Sequence, residues 1–188
     1  MSYITAMRYA ATKFGPILVG GVSLGAAVAV NWAMESDSTA VGVLAALPPW
    51  TGLSDGAPAA ASAAVTAAML RSDGLASVTA TMRAGSPAWL ADTLTSSWAR
   101  QWPDLPAALD EAASYRAPTL DALASCEVPV GICSAIDDAV HPLAVGQEWA
   151  RQLPRAALAT TTLDRIGADP AELGDGTVTA LRAAGLQL

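Results

Sequence analysis

A serine held between two glycines, Gly21-Val22-Ser23-Leu24-Gly25, is the group in this sequence best arranged for covalent chemistry. A serine hydroxyl attacks carbonyl carbon poorly unless a base removes its proton. Placed where a strand turns sharply into a helix, the hydroxyl stands above the sheet edge, and the helix's positive end faces any oxyanion formed there. The turn demands small residues two places before and after the serine, because a Cβ would collide with neighbouring backbone. Gly21 and Gly25 hold those places, and the backbone N–H of Leu24 is the oxyanion donor the geometry offers. The structural alternative is a glycine-rich turn that merely packs closely. A second group is Asp137-Asp138-Ala139-Val140-His141-Pro142. His141 is the only histidine in the chain, and imidazole is the side chain best suited to proton transfer near neutral pH. Its place before a proline that opens a helix is equally that of a surface or capping residue. Either aspartate could instead close an Asx turn.

These residues need elements to hold them. Residues 3–13 have the spacing of an amphipathic helix ending near Gly15. Ile17-Leu18-Val19 is a short apolar run of the kind buried on both faces of a parallel sheet. Ala26 to Met34 has no breaker and predicts a buried helix, closed before Ser36-Asp37-Ser38. Ala40 to Leu47 predicts the next strand, stopped by Pro48-Pro49. Strand, helix, strand in so short a span is a right-handed βαβ unit. The pattern resumes with a strand over Val128–Cys133, a helix over Pro142–Leu153, a strand over Ala156–Leu163 and a terminal helix over Thr177–Ala184.

Between these halves, about Ser54 to Leu123, the chain is Ala-rich, carries Trp89, Trp98, Trp102 and Tyr115, and shows no period-2 stretch. Several short helices forming a cap are expected, starting near Ser72-Asp73, Ser86-Pro87 and Pro118. The tryptophans serve either packing or an apolar ligand. The expected division is a discontinuous core, 1–53 and 124–188, with a cap insertion over 54–123.

With 188 residues, 53% of them hydrophobic, the chain can bury a real core. Ten Lys+Arg against seventeen Asp+Glu give a formal net charge of −7 without a basic cluster, which argues against nucleic acid as a partner. Cys126 and Cys133 lie on or beside a buried strand and are expected to be reduced core thiols of a cytoplasmic protein, with no metal or cofactor role. From Phe14 to Met34 no residue is charged, Arg8 and Lys13 precede the run, and Ala27-Val28-Ala29 has the form of a cleavage site, so export or membrane insertion is a competing reading. Pro16, the glycines, Ser23 and Asn31 inside the run favour strand–turn–helix instead, without stable membrane insertion.

Ile17 to Ala27 resembles the nucleophile elbow of the α/β-hydrolase superfamily, and Val128-Pro129-Val130-Gly131-Ile132-Cys133 followed by Asp137 to Pro142 resembles its acid loop. The motifs come in the superfamily's order, separated by helical sequence where it carries a cap. The resemblance implies an α/β class, a partial α/β-hydrolase fold with a mostly parallel sheet, flanking helices and a helical cap. It selects Asp138, four residues before the proline, as triad carboxylate, with Asp137 the alternative. It also implies a histidine after the last strand, where the chain reads Leu163-Asp164-Arg165-Ile166-Gly167-Ala168-Asp169-Pro170. Ala168 stands near the expected base, and alanine cannot accept a proton. Three outcomes follow: His141 reaches Ser23 from the acid loop, Asp169 or Asp164 acts as base, or there is no catalysis. The resemblance starts in the helix before the elbow strand, so the loop giving the other oxyanion donor is missing, through truncation at the N-terminus or through a reduced fold. A four-stranded sheet with exposed edges is expected to pair with another copy.

Two functions are thus in contention. One is an esterase-like serine hydrolase acting on a small apolar acyl substrate through Ser23, Asp138 and His141. The other is a non-catalytic relative, a pseudoenzyme, that binds an apolar ligand or a protein partner.

Overall fold

The structure is a computed structural model that describes residues 3–35 and 37–186. Ser36 of the expected helix stop, and Met1, lie outside the described residues. Four strands, β1 (Ile17–Val22), β2 (Ala40–Ala46), β3 (Val130–Ala135) and β4 (Ala156–Thr161), form one all-parallel sheet in the order β1-β2-β3-β4. Each strand pairs with the next in sequence, so every connection between them is a crossover. Every residue of the central β3 is buried, whereas β1 alternates between exposed and covered positions, as an edge strand does.

Helices cover both faces. α1 (Tyr3–Phe14) and α2 (Leu24–Ala33) flank β1, and α2 also packs on β2. Ala26, Ala27, Val28, Ala29, Val30, Trp32 and Ala33 of α2 are buried, so this helix is apolar nearly all round because it is interior. The last helix lies across β2, β3 and β4. Two glycines show how closely these layers meet. A Cβ on Gly131 of β3 would stand 2.1 Å from the Thr177 carbonyl oxygen of that helix. One on Gly146, in the helix between β3 and β4, would stand 2.2 Å from Ser134 Oγ on the opposite face of β3. Fully buried Val130, Ile132 and Leu181 fill the space between, and each such side chain contributes roughly 1.5–3 kcal/mol by leaving water.

The chain divides into two compact units, one reaching to Ser54 and resuming at Arg116, the other Asp55–Tyr115. The second holds α3 (Pro58–Ala84), α4 (Ala88–Gln101) and α5 (Leu105–Ala113). α3 is two helical stretches joined across a kink at Gly74, whose φ 77° and ψ 166° are non-helical, and the second stretch begins beside Ser72-Asp73, where a helix start was expected. Leu70, Val78, Trp98 and Leu105 make the core of this unit. Trp98 is therefore a packing residue, while Trp102 is exposed. The first unit resumes at Arg116, where the returning chain is fastened to Gly52. Ala117 donates its N–H to Gly52 O, and Gly52 donates to Pro118 O, both at 2.9 Å.

The remaining helices, α6 (Leu120–Ala124), α7 (Leu143–Gln152), α8 (Leu163–Ala168) and α9 (Glu172–Ala183), belong to the first unit. α7 and α9 lie where helical pattern was expected. α8 was not anticipated: its six residues are too few for a period, and its start is marked only by Thr162, whose hydroxyl caps the Arg165 N–H. Among the described residues no helix is long and apolar enough to cross a membrane.

Candidate active site

Ser23 is the hinge between β1 and α2, at φ 55°, ψ −121°. Positive φ is rare for a residue with a side chain, and such strain is held only where the surroundings fix it. The Ser23 N–H donates to Ala46 O of β2 at 2.9 Å, and its carbonyl accepts from Ala26 and Ala27 in the first turn of α2. Backbone at both ends is thus committed. Gly21 makes the turn possible: a Cβ there would lie 2.5 Å from the carbonyl carbon of Gly25. The steric demand is one-sided, which corrects the expectation that both glycines are needed for space. A Cβ on Gly25 meets nothing within 4 Å, since it is the backbone of residue 25, not its side-chain direction, that presses on residue 21.

Ser23 stands at the N-cap of α2, where a serine commonly hydrogen-bonds the first turn, yet its side chain makes no capping bond. Its Oγ lies instead 2.8 Å from His141 Nε2. On the ring's other side, Nδ1 lies 2.8 Å from Asp138 Oδ2. With Nδ1–H donating to the carboxylate, Nε2 is left as the acceptor for the serine proton. Leu24, as the first residue of α2, has one of the amides that no intrahelical carbonyl serves.

The carboxylate and the imidazole share one turn. Asp138 Oδ1 accepts the N–H groups of Val140 at 2.8 Å and His141 at 3.1 Å, while Oδ2 takes the ring. The Asx turn and the carboxylate–imidazole pair, rival readings of these residues in the sequence, are both present in the same side chain. The neighbouring Asp137 has a separate task. Its Oδ1 accepts the Leu163 N–H at 2.9 Å, tying the loop to the start of α8. Ile136 N–H reinforces the tie by donating to Thr161 O. That loop-fastening role was not foreseen, and nothing in the spacing marks it. The Asp-x-x-His interval, by contrast, is a signal that a carboxylate and an imidazole can meet within a single turn.

The side chains of Asp138 and His141 are 9% and 16% exposed. Burial raises the Asp138 pKa, but the hydrogen bond and charge of His141 and the two backbone N–H groups outweigh it, and the carboxyl is held below its ordinary value. A lowered value stabilises the fold above the unfolded-state pKa, and this contribution is lost as pH falls through the folded one. Urea unfolding across the acid range should therefore show a steeper loss of stability in the wild type than in Asp138→Asn. Parallel curves would contradict the assignment.

Ala168 closes α8, at the position where the resemblance expects a base. Asp169 Oδ1 accepts the Ala171 N–H at 2.9 Å, and Asp164 lies in the first turn of α8. Neither hydrogen-bonds Ser23, whereas His141 reaches its hydroxyl from the acid loop. Cys126 and Cys133 are both buried and free. Burial, and then the Glu172 carboxylate, push Cys133 up to about 11, and burial also raises Cys126 against the Val128 carbonyl that lowers it. Such thiols stay protonated and unreactive near neutral pH. A cavity of about 440 Å³ is lined by Ser23 together with Tyr3, Ala6 and Met7 of α1, the other residues of 20–25, and Val28.

No known protein-family model matches the sequence, and no curated protein matches it. Solved structures do match. An esterase from Thermogutta terrifontis superposes with a TM-score of 0.70 at 17% identity, covering 93% of this chain and 68% of that one. The α/β hydrolase MGS-M2 from a Medee basin deep-sea metagenome gives 0.68 at 14% identity, covering 98% and 72%. BpoC of Mycobacterium tuberculosis, assigned as a non-heme bromoperoxidase, gives 0.68 at 19%, covering 97% and 72%. The open edge at β1, the serine on a strained strand-to-helix turn and these superpositions agree: the chain has the α/β-hydrolase fold, over about seven-tenths of the length of such proteins.

Proposed function

We propose that this protein is an esterase-like serine hydrolase whose nucleophile is Ser23, whose general base is His141 and whose orienting carboxylate is Asp138. The observation that carries the reading is the continuous chain Ser23 Oγ, His141 Nε2, His141 Nδ1, Asp138 Oδ2, with both links at 2.8 Å. Nucleophile and base within hydrogen-bond reach, with the base held by a third group, is the arrangement that activates a serine.

In the proposed reaction Ser23 Oγ bonds to the acyl carbon while its proton passes to His141 Nε2. The carbonyl π electrons move to oxygen, where the Leu24 N–H and the positive end of α2 stabilise the charge. Asp138 keeps the ring in the right tautomer and supports the imidazolium. As the tetrahedral adduct collapses, the bond to the leaving alkoxide breaks and the alkoxide takes the proton from Nε2. Water repeats the sequence on the acyl-serine: its proton goes to Nε2, its oxygen joins the acyl carbon, and Ser23 leaves with the proton returned.

Turnover of short-chain p-nitrophenyl esters tests the reading. Hydrolysis that disappears in Ser23→Ala is expected. Equal rates for the wild type and Ser23→Ala would overturn it.

A further inference from the structure

Ser23 and His141 meet although their elements are not neighbours in the sheet. Ser23 stands at the end of β1, whereas His141 directly precedes Pro142, the N-cap of α7, and α7 packs on β3, β4 and α6. The sheet order puts β2 between them, so the chain leaving β2 bears on whether ring and hydroxyl meet. Ala46, the last residue of β2, accepts the Ser23 N–H. Leu47 follows at φ 48°, rare for a residue with a side chain, and its N–H donates to Cys133 O of β3 at 2.7 Å. Pro48 and Pro49 are fully buried, and their rings fix φ.

Two residues on, Thr51 reaches α7. Its Oγ1 accepts the Trp149 indole N–H at 3.1 Å and donates to Glu148 Oε2 at 2.5 Å. An indole N–H only donates and an ionised carboxylate only accepts, so the direction of both bonds is fixed and both need a hydroxyl at residue 51. Trp149 is wholly buried. The next residue, Gly52, is held through its N–H by Pro118 O and through its carbonyl by the Ala117 N–H. Arg116 O in turn accepts from Asn31 Nδ2 of α2, the helix that Ser23 opens, at 3.1 Å.

We infer that Thr51 is a positioning residue for the hydrolysis proposed above, on which this role rests: by clamping α7 to the chain leaving β2, it holds His141 Nε2 against Ser23 Oγ. The segment between the two fastenings is stiff, with a strained left-handed residue and two prolines, so it transmits a displacement instead of absorbing it. Without the Thr51 hydroxyl, α7 keeps its packing on β3 and β4 but loses this tether towards Ser23. Asp138 and His141, which share one turn, then move together and away from the serine.

The test compares Thr51→Val, which keeps the shape and removes the hydroxyl, with Thr51→Ser, which keeps the hydroxyl. With p-nitrophenyl esters, and rates referred to sites titrated to completion by a fluorophosphonate, Thr51→Val is expected to lower kcat about ten- to a hundredfold with KM little changed. Thr51→Ser should stay within about threefold of the wild type. A role in stability alone would reduce the titrated sites and leave kcat per site unchanged. His141 is the only histidine in the chain, so its ring nitrogens give unambiguous NMR signals, and Ser23→Ala shows where Nε2 resonates without the serine. Thr51→Val should move the Nε2 signal towards that position, and Thr51→Ser should leave it in place. Glu148→Ala, at a partly buried position, loosens the same clamp without leaving the indole unpaired. It should move kcat and Nε2 in the same direction, and it decides the matter if Thr51→Val does not fold. The NMR reading needs no turnover: a wild type that hydrolyses no ester sinks the hydrolase reading, while Nε2 still decides the role of Thr51. An Nε2 signal unmoved in the folded variant, kcat per site equal to that of the wild type, or Thr51→Ser as impaired as Thr51→Val would overturn the role.

Discussion

His141→Ala is expected to lower kcat for p-nitrophenyl esters by about 10⁴–10⁶, with KM little changed, because the ring acts on the proton in flight rather than on the bound acyl group. Ser23 has its Oγ aimed at one nitrogen, 2.8 Å away, and spends no hydrogen bond on capping α2. Take away that nitrogen and the hydroxyl keeps its proton. The loss in Ser23→Ala should be similar, and His141→Ala combined with Ser23→Ala should cost little more than either alone, since the residues act as a unit. Asp138→Asn is expected to cost about 10⁴, through the wrong ring tautomer. A fall of less than tenfold in His141→Ala would assign the proton to another group, and Asp164 and Asp169 would be the next to replace.

The second large effect is at the elbow. Gly21→Ala brings a Cβ to 2.5 Å from the Gly25 carbonyl carbon and 2.7 Å from its Cα, both backbone atoms at the head of α2. Neither can rotate aside, so β1 and α2 must separate, and overpacking of this kind costs about 1–3 kcal/mol or more. The separation also moves Ser23 relative to His141, and a displacement near 1 Å can cost about 10² in rate. Gly25→Ala is the control. Its Cβ meets nothing within 4 Å, and alanine in a helix is favoured over glycine by about 1 kcal/mol. Activity kept in Gly25→Ala and lost in Gly21→Ala, with thermal unfolding lowered only in the latter, is the expected pair of results. Equal tolerance at both positions would show that the turn is looser than its geometry implies.

The sheet was legible in the sequence because its strands are short apolar runs with clear punctuation. Pro16 precedes β1, Pro48 and Pro49 follow β2, and the alternation of strand with helix leaves little choice but a parallel sheet. The elbow was legible for the same reason, since glycine at position 21 is a backbone requirement written as a residue type. The break within α3 was legible too, since Ser72-Asp73 marks a helix start and Gly74 beside it leaves the helical path. The partner of Ser23 was harder to read. A sequence names His141 and Asp138 three residues apart but does not tell which way the turn throws the ring. That direction comes from Asp138 Oδ1 gathering the Val140 and His141 amides and from Asp137 fastening the loop to Leu163. His141, in the acid loop, then lies against Ser23 Oγ, whereas the resemblance expects a histidine near Ala168.

The central claim is that Ser23 is activated by His141, and intact-mass analysis after a fluorophosphonate tests it most directly. One phosphonyl adduct, mapped to Ser23, is expected on the folded wild-type protein, and none in the same time on His141→Ala. Folded protein that stays unlabelled, or His141→Ala labelled as fast as wild type, would contradict it.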